Sequence, residues 1–238
     1  MNILLNGYSG KMGQAIAQIL PEDDHIVAKI NRDFSENLSQ DIDVAIDFSA
    51  PKGTMKLLPA VIDRHIPTII GTTGLNEQQQ KEIAFAAEKI KILYSSNFSI
   101  GVNVLHQLVK LAARLLPKEF QIEIVEKHHC HKKDAPSGTA KQLFQTIQEI
   151  RLASYPLYGR HGHSEERSND EIGIHSLRCG EIFGEHEILF EGMQEEISLQ
   201  HRAFDRKIFA RGALIAAHWL IKNPAESGLF TMDAFLGF

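Results

Sequence analysis

Between Glu126 and Ala140 the sequence reads EKHHCHKKDAPSGTA, and this stretch concentrates side chains that can donate protons or bind anions. His128 and Lys132 are candidate acids, because an imidazolium or ammonium group can protonate atoms on which negative charge develops. Such general acid catalysis lowers a barrier typically by about 10²–10⁴-fold in rate. His129, Lys132 and Lys133 could also bind carboxylates. The stretch therefore predicts acid catalysis on a small anionic molecule.

The second half of the same stretch, DAPSGTAKQLFQTI, has the composition of a helix start. The first turn of a helix leaves backbone N–H groups unpaired, and these groups attract anions. Ser137, Gly138 and Thr139 would supply such N–H groups together with hydroxyls. We therefore expect Ser137, Gly138 and Thr139 to bind the substrate.

Two alternative interpretations of the histidines were weighed, a metal site and a solvated basic turn. His128, His129, Cys130 and His131 are consecutive, and consecutive side chains cannot all turn toward one ion. No further pair of ligands at helical spacing lies nearby, so we predict no metal. Cys179 is the only other cysteine, and without a C-x-x-C pair both thiols are expected to be free.

A glycine-rich turn near the beginning of the sequence, GYSGKMG, predicts a dinucleotide site. Its three glycines lie between a strand-like run and a helix-like run, where a pyrophosphate needs backbone without side chains and exposed helix N–H groups. The spacing is G-x-x-G-x-x-G, and a turn without a ligand is the alternative. The order of strand, turn and helix favours the dinucleotide. The residues of this turn predicted to contact it are Gly7, Tyr8, Ser9, Gly10, Lys11 and Met12.

The end of the second predicted strand bears on which dinucleotide is used. An acidic side chain there would bind the adenosine ribose hydroxyls and repel a 2′-phosphate. The sequence instead has Asn31 and Arg32, which we expect to contact the cofactor and to accept NADPH. Asp33 follows immediately and could reverse this preference, so NADPH, NADH or both remain possible.

The elements around these motifs predict two domains. Up to residue 99, short β-rich runs at 2–6, 25–31, 43–49, 67–73 and 91–97 alternate with helical runs, which is typical of a Rossmann-like parallel sheet. From residue 100 a long helix leads into alternating runs at 120–129, 171–179, 182–192 and 195–203 without helices between the last three. These runs predict a second α+β domain with a mixed sheet, open on one face. A polar segment, 155–170, is expected to be a mobile lid or a crossing loop.

The predicted boundaries follow from this change of pattern. Residues 1–99 with 208–238 would form the dinucleotide-binding domain, since the apolar helix at 205–223 is expected to return to it. Residues 100–207 would bind substrate and mediate oligomerisation through the open face of the sheet.

Composition excludes several classes of partner. The chain has 238 residues, with 25 basic and 30 acidic side chains and a net charge of −5. Without a long basic run, nucleic acid is not expected as a partner. No leader-like segment and no run of 18 apolar residues was found, so we predict no membrane association and a cytoplasmic location.

Taken together, the motifs resemble the dihydrodipicolinate reductase family of the lysine pathway, whose members reduce 4-hydroxy-tetrahydrodipicolinate. The resemblance extends over nearly the whole chain. The matching segments are GYSGKMG, DFSAPKGT, IIGTTG, SSNFSIGVN, EKHHCHKKDAPSGTA, GRHG, EIGIHSLRCGEIFGEH, FARGALIAAHWL and GLFTMDAFLG.

This resemblance implies roles for particular residues. His128 would be the proton donor and Lys132 a second acid or charge stabiliser, while His129 and the Gly138–Thr139 backbone would hold the substrate carboxylates. The residues implied to line the nicotinamide end are Gly71, Thr72, Thr73, Ser95, Ser96, Asn97 and Phe98. These segments follow predicted strands, at the edge where such sheets bind ligands.

The resemblance also implies an activity and an assembly. The reaction would be NADH- or NADPH-dependent reduction of a cyclic, dicarboxylated imine to tetrahydrodipicolinate in lysine and diaminopimelate biosynthesis, by a homotetramer. Two alternatives were kept. One is another two-domain NAD(P)-dependent dehydrogenase, of aspartate or homoserine type, which would lack the histidine–lysine run. The other is a regulator that binds a dinucleotide or a metal without catalysis.

Overall fold

The computed structural model describes residues 1–31, 41–163 and 165–238. The chain forms two compact units, Met1–Ile100 with Arg206–Phe238, and Gly101–Asp205. Dinucleotide binding by the first unit, and substrate binding and oligomerisation by the second, stay predictions. None of the helices in the described ranges is both long and apolar enough to span a bilayer.

The first unit contains a six-stranded parallel sheet, as expected for a Rossmann-like fold. Its strands are β1 (Asn2–Asn6), β2 (His25–Ile30), β3 (Val44–Asp47), β4 (Thr68–Ile70), β5 (Lys91–Tyr94) and β11 (Gly228–Phe230). The helices of this unit are α1 (Lys11–Gln18), α2 (Pro51–Asp63), α3 (Glu77–Ala87), α6 (Lys207–Lys222) and α7 (Met232–Leu236).

The strand order is β11-β5-β4-β3-β1-β2. Because β1 lies between β2 and β3, the chain changes direction across the sheet at β1, and sheets of this kind bind ligands beside that point. The sequence predicted five strands, and the sixth, β11, was missed. It has only three residues and begins at Gly228, so no alternating pattern marks it.

Near-continuous apolar runs form the central strands because both faces of this sheet are covered. Ile3 and Leu5 of β1 pack into one core cluster together with residues of α1 and α6. Leu4, between them, points to the opposite face and packs into a second cluster with residues of α2 and α3. The carboxyl ends of β1, β3 and β4 are therefore held at fixed positions by cores on both sides.

The second unit contains a five-stranded mixed sheet in the order β10-β9-β6-β8-β7, which confirms the predicted α+β domain. β9 is antiparallel to β6 and β10, whereas β6, β8 and β7 are parallel. The strands are β6 (Gln121–His128), β7 (Tyr155–Tyr158), β8 (Glu171–Arg178), β9 (Gly184–Glu191) and β10 (Glu196–Ala203), and the helices are α4 (Ile100–Leu115) and α5 (Gly138–Gln148).

The segment predicted as a lid or crossing loop begins with a strand instead. β7 pairs in parallel with β8, with Tyr155 opposite Glu171. Farther along the segment, Arg167 Nη2 donates to the carbonyl oxygens of Ile122 at 2.8 Å and Glu171 at 2.7 Å. The expectation of a loop was therefore wrong for Tyr155–Tyr158, and for the rest of the segment the lid or crossing loop stays a prediction. The polar composition of the segment reflects its ion pairs. Pro156 is tolerated because β7 lies at the edge of the sheet.

One face of this sheet is buried and the other is largely exposed, as the alternation predicted. Ile122, Ile124, Ile174 and Phe190 pack with residues of α4 and α5. Along β10 most side chains remain exposed. The alternation of β6, in which every second residue is buried, places Glu126 and His128 on the packed face.

Candidate active site

The glycine-rich turn between β1 and α1 has the geometry of an anion cradle. Gly7 has a φ of +86°, and a Cβ atom there would lie 2.5 Å from the carbonyl oxygen of Phe48. At Gly13 a Cβ atom would lie 2.4 Å from the oxygen of Gly7. Only glycine fits at these two positions, because backbone atoms cannot yield that much space. The turn is thus tight and keeps its backbone open.

Helix α1 begins at this turn with no side chain capping it. Gly10 is its N-cap residue, and no acidic side chain lies in the first turn. The N–H groups of the first turn, at Lys11 and Met12, have no partner within the helix and carry the positive end of the helix dipole. These groups fit the pyrophosphate of a dinucleotide.

A cavity of about 430 Å³ adjoins the turn. It is lined by Gly7, Ser9 and Gly10 of the turn and by Asn31 after β2. The segment that follows β3 contributes Phe48, Ser49, Ala50, Lys52, Gly53 and Lys56. Asn31 Oδ1 accepts a hydrogen bond from the Ser9 N–H at 2.9 Å, so Asn31 supports the turn directly. Arg32, the other residue predicted to discriminate the ribose, lies outside the described residues.

Asp47, at the carboxyl end of β3, joins the strand ends beneath this cavity. Its fully buried carboxylate accepts hydrogen bonds from Asn6 Nδ2 at 2.9 Å and from the N–H and hydroxyl of Ser49. Thr54 and Thr72 donate to its other oxygen. Burial raises the pKa of Asp47 above its usual value, although these hydrogen bonds oppose the rise. The sequence interpretation missed Asp47, and its burial became evident only in the sheet.

The segments predicted to line the nicotinamide end follow β4 and β5. Gly71 packs so tightly that a Cβ atom would lie 2.1 Å from the Phe48 ring, and the Thr72 hydroxyl is bound to Asp47. Ser95 Oγ donates to the Asn97 carbonyl at 2.9 Å, which shapes the turn after β5. Phe98 is only 1% exposed and packs edge-on against Phe48, so it belongs to the core of the unit. Ser96 lies in the same turn, and Thr73 is exposed.

In the second unit, His128 is held by a buried carboxylate. Its Nδ1 atom lies 2.5 Å from Oε2 of Glu126, and because a carboxylate only accepts, Nδ1 is the donor. Arg178 Nη1 and Nη2 also donate to Glu126, at 2.9 and 2.7 Å. Burial alone would raise the pKa of Glu126, but hydrogen bonds from His128 and Arg178 outweigh it and hold that pKa well below its usual range.

Glu126 binds Nδ1 of His128, so Nε2 is the ring nitrogen that this carboxylate leaves available. Nε2 lies 3.1 Å from the position that a Cβ atom of Gly184 would occupy, so a side chain there would crowd it. The His128 ring stacks edge-on against His186, with centroids 5.2 Å apart. Burial, followed by the nearby His128, lowers the pKa of His186 to about 3. His186 is therefore neutral near pH 7 and adds no charge beside His128.

Ser137 is buried and bound within the protein, and its role in substrate binding stays a prediction. It is 2% exposed, and its N–H donates to Glu126 Oε1 at 3.1 Å. Its hydroxyl caps α5 by accepting from the Ala140 N–H at 3.2 Å, and it lies 3.0 Å from His186 Nε2. The polar groups of Ser137 are thus used within the protein.

The other residues predicted to bind the substrate lie nearer the surface. Gly138 is exposed and Thr139 half-buried, and their N–H groups belong to the first turn of α5, where a helix supplies no partner. Lys132 Nζ donates to Asp134 at 2.8 Å, which lowers the pKa of the Asp134 carboxyl. His129 is half-buried, and its Nδ1 atom is buried without a hydrogen-bond partner in the described structure.

Several residues that build this site were missed at the sequence level. Glu126 carries a usable signal, since it precedes His128 by two residues on an alternating strand and must share its face. Arg178 and His186 come from β8 and β9, and only the strand register brings them to Glu126. Within the described residues no cluster of three metal-ligating side chains occurs, and both cysteines are free thiols.

Comparison with known proteins gives matches over the whole chain. A family model described as "Dihydrodipicolinate reductase, N-terminus" matches residues 1–98, and one described as "Dihydrodipicolinate reductase, C-terminus" matches residues 101–236. The 4-hydroxy-tetrahydrodipicolinate reductase of Caldanaerobacter subterraneus subsp. tengcongensis is 40% identical over 247 residues, covering 98% of this chain and 97% of that protein.

Solved structures agree with these matches. Dihydrodipicolinate reductase from Paenisporosarcina sp. TG-14, with dipicolinate bound, superposes with a TM-score of 0.78 at 25% identity, covering 97% of each chain. Aspartate dehydrogenase from Thermotoga maritima gives a TM-score of 0.50 at 12% identity, covering 94% of this chain and 98% of that one. The second likeness concerns the fold alone.

The neutral, buried His186 predicts a pH-dependent stability. In the unfolded chain an imidazole takes up a proton near pH 6.5, whereas folded His186 does so only at about pH 3. Unfolding therefore takes up a proton between these values, and the free energy of unfolding falls as the pH falls, by up to about 1.4 kcal/mol per pH unit from this group. Urea denaturation at pH 7 and at pH 5 should show that the free energy of unfolding falls less in H186Q than in the parent protein. An H161Q control should keep the parental slope, and equal slopes in the parent and H186Q would contradict the assignment.

Proposed function

The chain belongs to the dihydrodipicolinate reductase family, and on that basis we propose its reaction. It reduces the cyclic, dicarboxylated imine derived from 4-hydroxy-tetrahydrodipicolinate to tetrahydrodipicolinate, using NADPH or NADH, in lysine and diaminopimelate biosynthesis. The observation that carries the proposal beyond family membership is the buried Glu126–His128 pair, which presents an oriented acid within the histidine–lysine stretch.

The first unit fits a dinucleotide. The turn that starts at Gly7 excludes side chains from the N-terminus of α1, and the adjoining cavity of about 430 Å³ has room for part of the cofactor. Lys11 and Met12 would offer backbone N–H groups to its pyrophosphate. A bound reduced dinucleotide supplies the hydride, and the remaining steps belong to side chains of this protein.

His128 supplies the proton that balances the negative charge left on the substrate after hydride addition. Glu126 fixes Nδ1, so the proton leaves from Nε2, and the carboxylate stabilises the protonated ring until then. Arg178 and the Ser137 N–H hold Glu126 itself in place. His186, being neutral, does not repel the imidazolium.

Cations and helix N–H groups bind the two substrate carboxylates. Gly138 and Thr139 offer N–H groups at the start of α5, and His129 lies on the turn that follows β6. Lys132 is paired with the exposed Asp134, and a substrate carboxylate would compete for the same ammonium group. Surface ion pairs of this kind are weak, at roughly 0–1 kcal/mol, so the exchange costs little.

We also infer that the molecule assembles as a homotetramer through the second sheet. Strand β10 exposes most of its side chains, and apolar side chains of that unit, including Leu177 and Ile197, are more than one-third exposed. Such surfaces are typical of interfaces. A cytoplasmic location stays a prediction from composition.

A coupled assay tests the reaction directly. Dihydrodipicolinate synthase would generate the substrate, and the absorbance of NADH or NADPH would be followed separately. We expect loss of reduced cofactor that depends on both this protein and the substrate. Cofactor binding without turnover would indicate a dinucleotide-binding regulator instead.

Replacing His128 with Gln should lower kcat by about 10²–10³-fold, since a proton donor acts mainly in the transition state. The KM for the dinucleotide should stay within about twofold of the parental value, because His128 does not belong to the dinucleotide cradle. Parental turnover in H128Q would exclude His128 as the acid.

E126Q should shift the pH profile of kcat. E126D should restore part of the parental profile, as expected for a positioning residue.

Replacing Lys132 with Ala should raise the KM for the substrate and lower kcat, because one cation would serve both binding and charge stabilisation. A carboxylate contact is worth about tenfold in affinity. The matched control is K133A on the neighbouring lysine. If K133A loses more activity than K132A, then Lys133 is the contact.

A further inference from the structure

We propose that Lys52 and Lys56, on helix α2, bind the 2′-phosphate of NADPH and make it the preferred cofactor. This inference rests on the proposed function and adds a specificity determinant to it. The sequence motifs point for this choice to the residues after β2. Both lysines come from a different element, the helix that follows β3.

The position of the cavity supports this assignment. When a pyrophosphate binds at the N-terminus of the first helix, the adenosine ribose lies at the end of the second strand. The cavity of about 430 Å³ extends from the glycine turn past Asn31, at the end of β2, to Lys52 and Lys56. A phosphate on the ribose 2′-oxygen would therefore enter the part of the cavity that α2 borders.

The charge of the cavity lining also supports the assignment of these lysines to the 2′-phosphate. Lys52 and Lys56 are four residues apart, so they lie on one face of the helix. Among the described residues that line the cavity, these two are charged and none is acidic. Neither lysine forms an ion pair with a described carboxylate. A phosphate dianion bound in the cavity would therefore be an ionic partner for both lysines.

The start of α2 is held firmly, which favours selective binding. A Cβ atom at Gly53 would lie 2.5 Å from Ser49 Oγ, so the helix packs closely on that side chain. Ser49 and Thr54 are both bound to the buried Asp47. In addition, Asn31 Oδ1 accepts a hydrogen bond from the Ser9 N–H, and Asn31 has no carboxylate that would repel a phosphate.

Kinetics with both cofactors test the inference. In K52A and K56A, kcat/KM for NADPH should fall about threefold each, and in the double variant about tenfold, while the value for NADH stays within about twofold. The parental preference for NADPH should also weaken as salt rises, because exposed charges are screened. K81A, an exposed lysine on α3 away from the cavity, is the matched control and should behave as the parent.

Binding of two fragments gives a second readout. Calorimetry should show that adenosine 2′,5′-bisphosphate binds the parent more tightly than 5′-AMP does, and that the double variant loses this difference. Equal losses with NADH and NADPH, unchanged selectivity, or a parental preference for NADH would overturn the lysine assignment alone. A parent protein that binds neither cofactor would refute the proposed function as well.

Discussion

A carboxylate withdrawn from water must be surrounded by donors, and Glu126 shows how much of the second unit follows from this need. Its two oxygens accept from His128, Arg178 and the backbone of Ser137. These donors come from β6, β8 and the start of α5. The same contacts that compensate the burial also orient the imidazole. Stability and the proposed proton transfer therefore depend on one set of hydrogen bonds.

Asp47 occupies a comparable position in the first unit, but with neutral donors only among the groups bound to it. Asn6, Ser49, Thr54 and Thr72 join it to β1, α2 and the turn after β4. Without a cation to offset burial its pKa is raised, whereas Arg178 and His128 lower that of Glu126. The opposite pKa shifts match the different roles of the two carboxylates. Asp47 fixes the edge of a sheet, and Glu126 must also stabilise a positive charge.

Much of this architecture could be predicted from the sequence, because local patterns carry it. Alternation predicted β6, and the spacing of the glycines predicted the turn between β1 and α1. What could not be predicted depends on register between distant strands. Arg178 reaches Glu126 only because β6 and β8 pair with His128 opposite Arg178. The contact of the Ser137 hydroxyl with His186 of β9 likewise joins residues far apart in the sequence.

The histidine–lysine stretch combines three local structures in a short length of chain, and its chemistry explains why. An acid needs a rigid support, which the end of β6 provides at His128. A carboxylate needs unpaired N–H groups, which the start of α5 provides at Gly138. Glu126 binds His128 through Oε2 and the Ser137 N–H through Oε1. One buried side chain thus fixes the proposed proton donor relative to the helix proposed to bind the anion, and Lys132 lies on the turn between them.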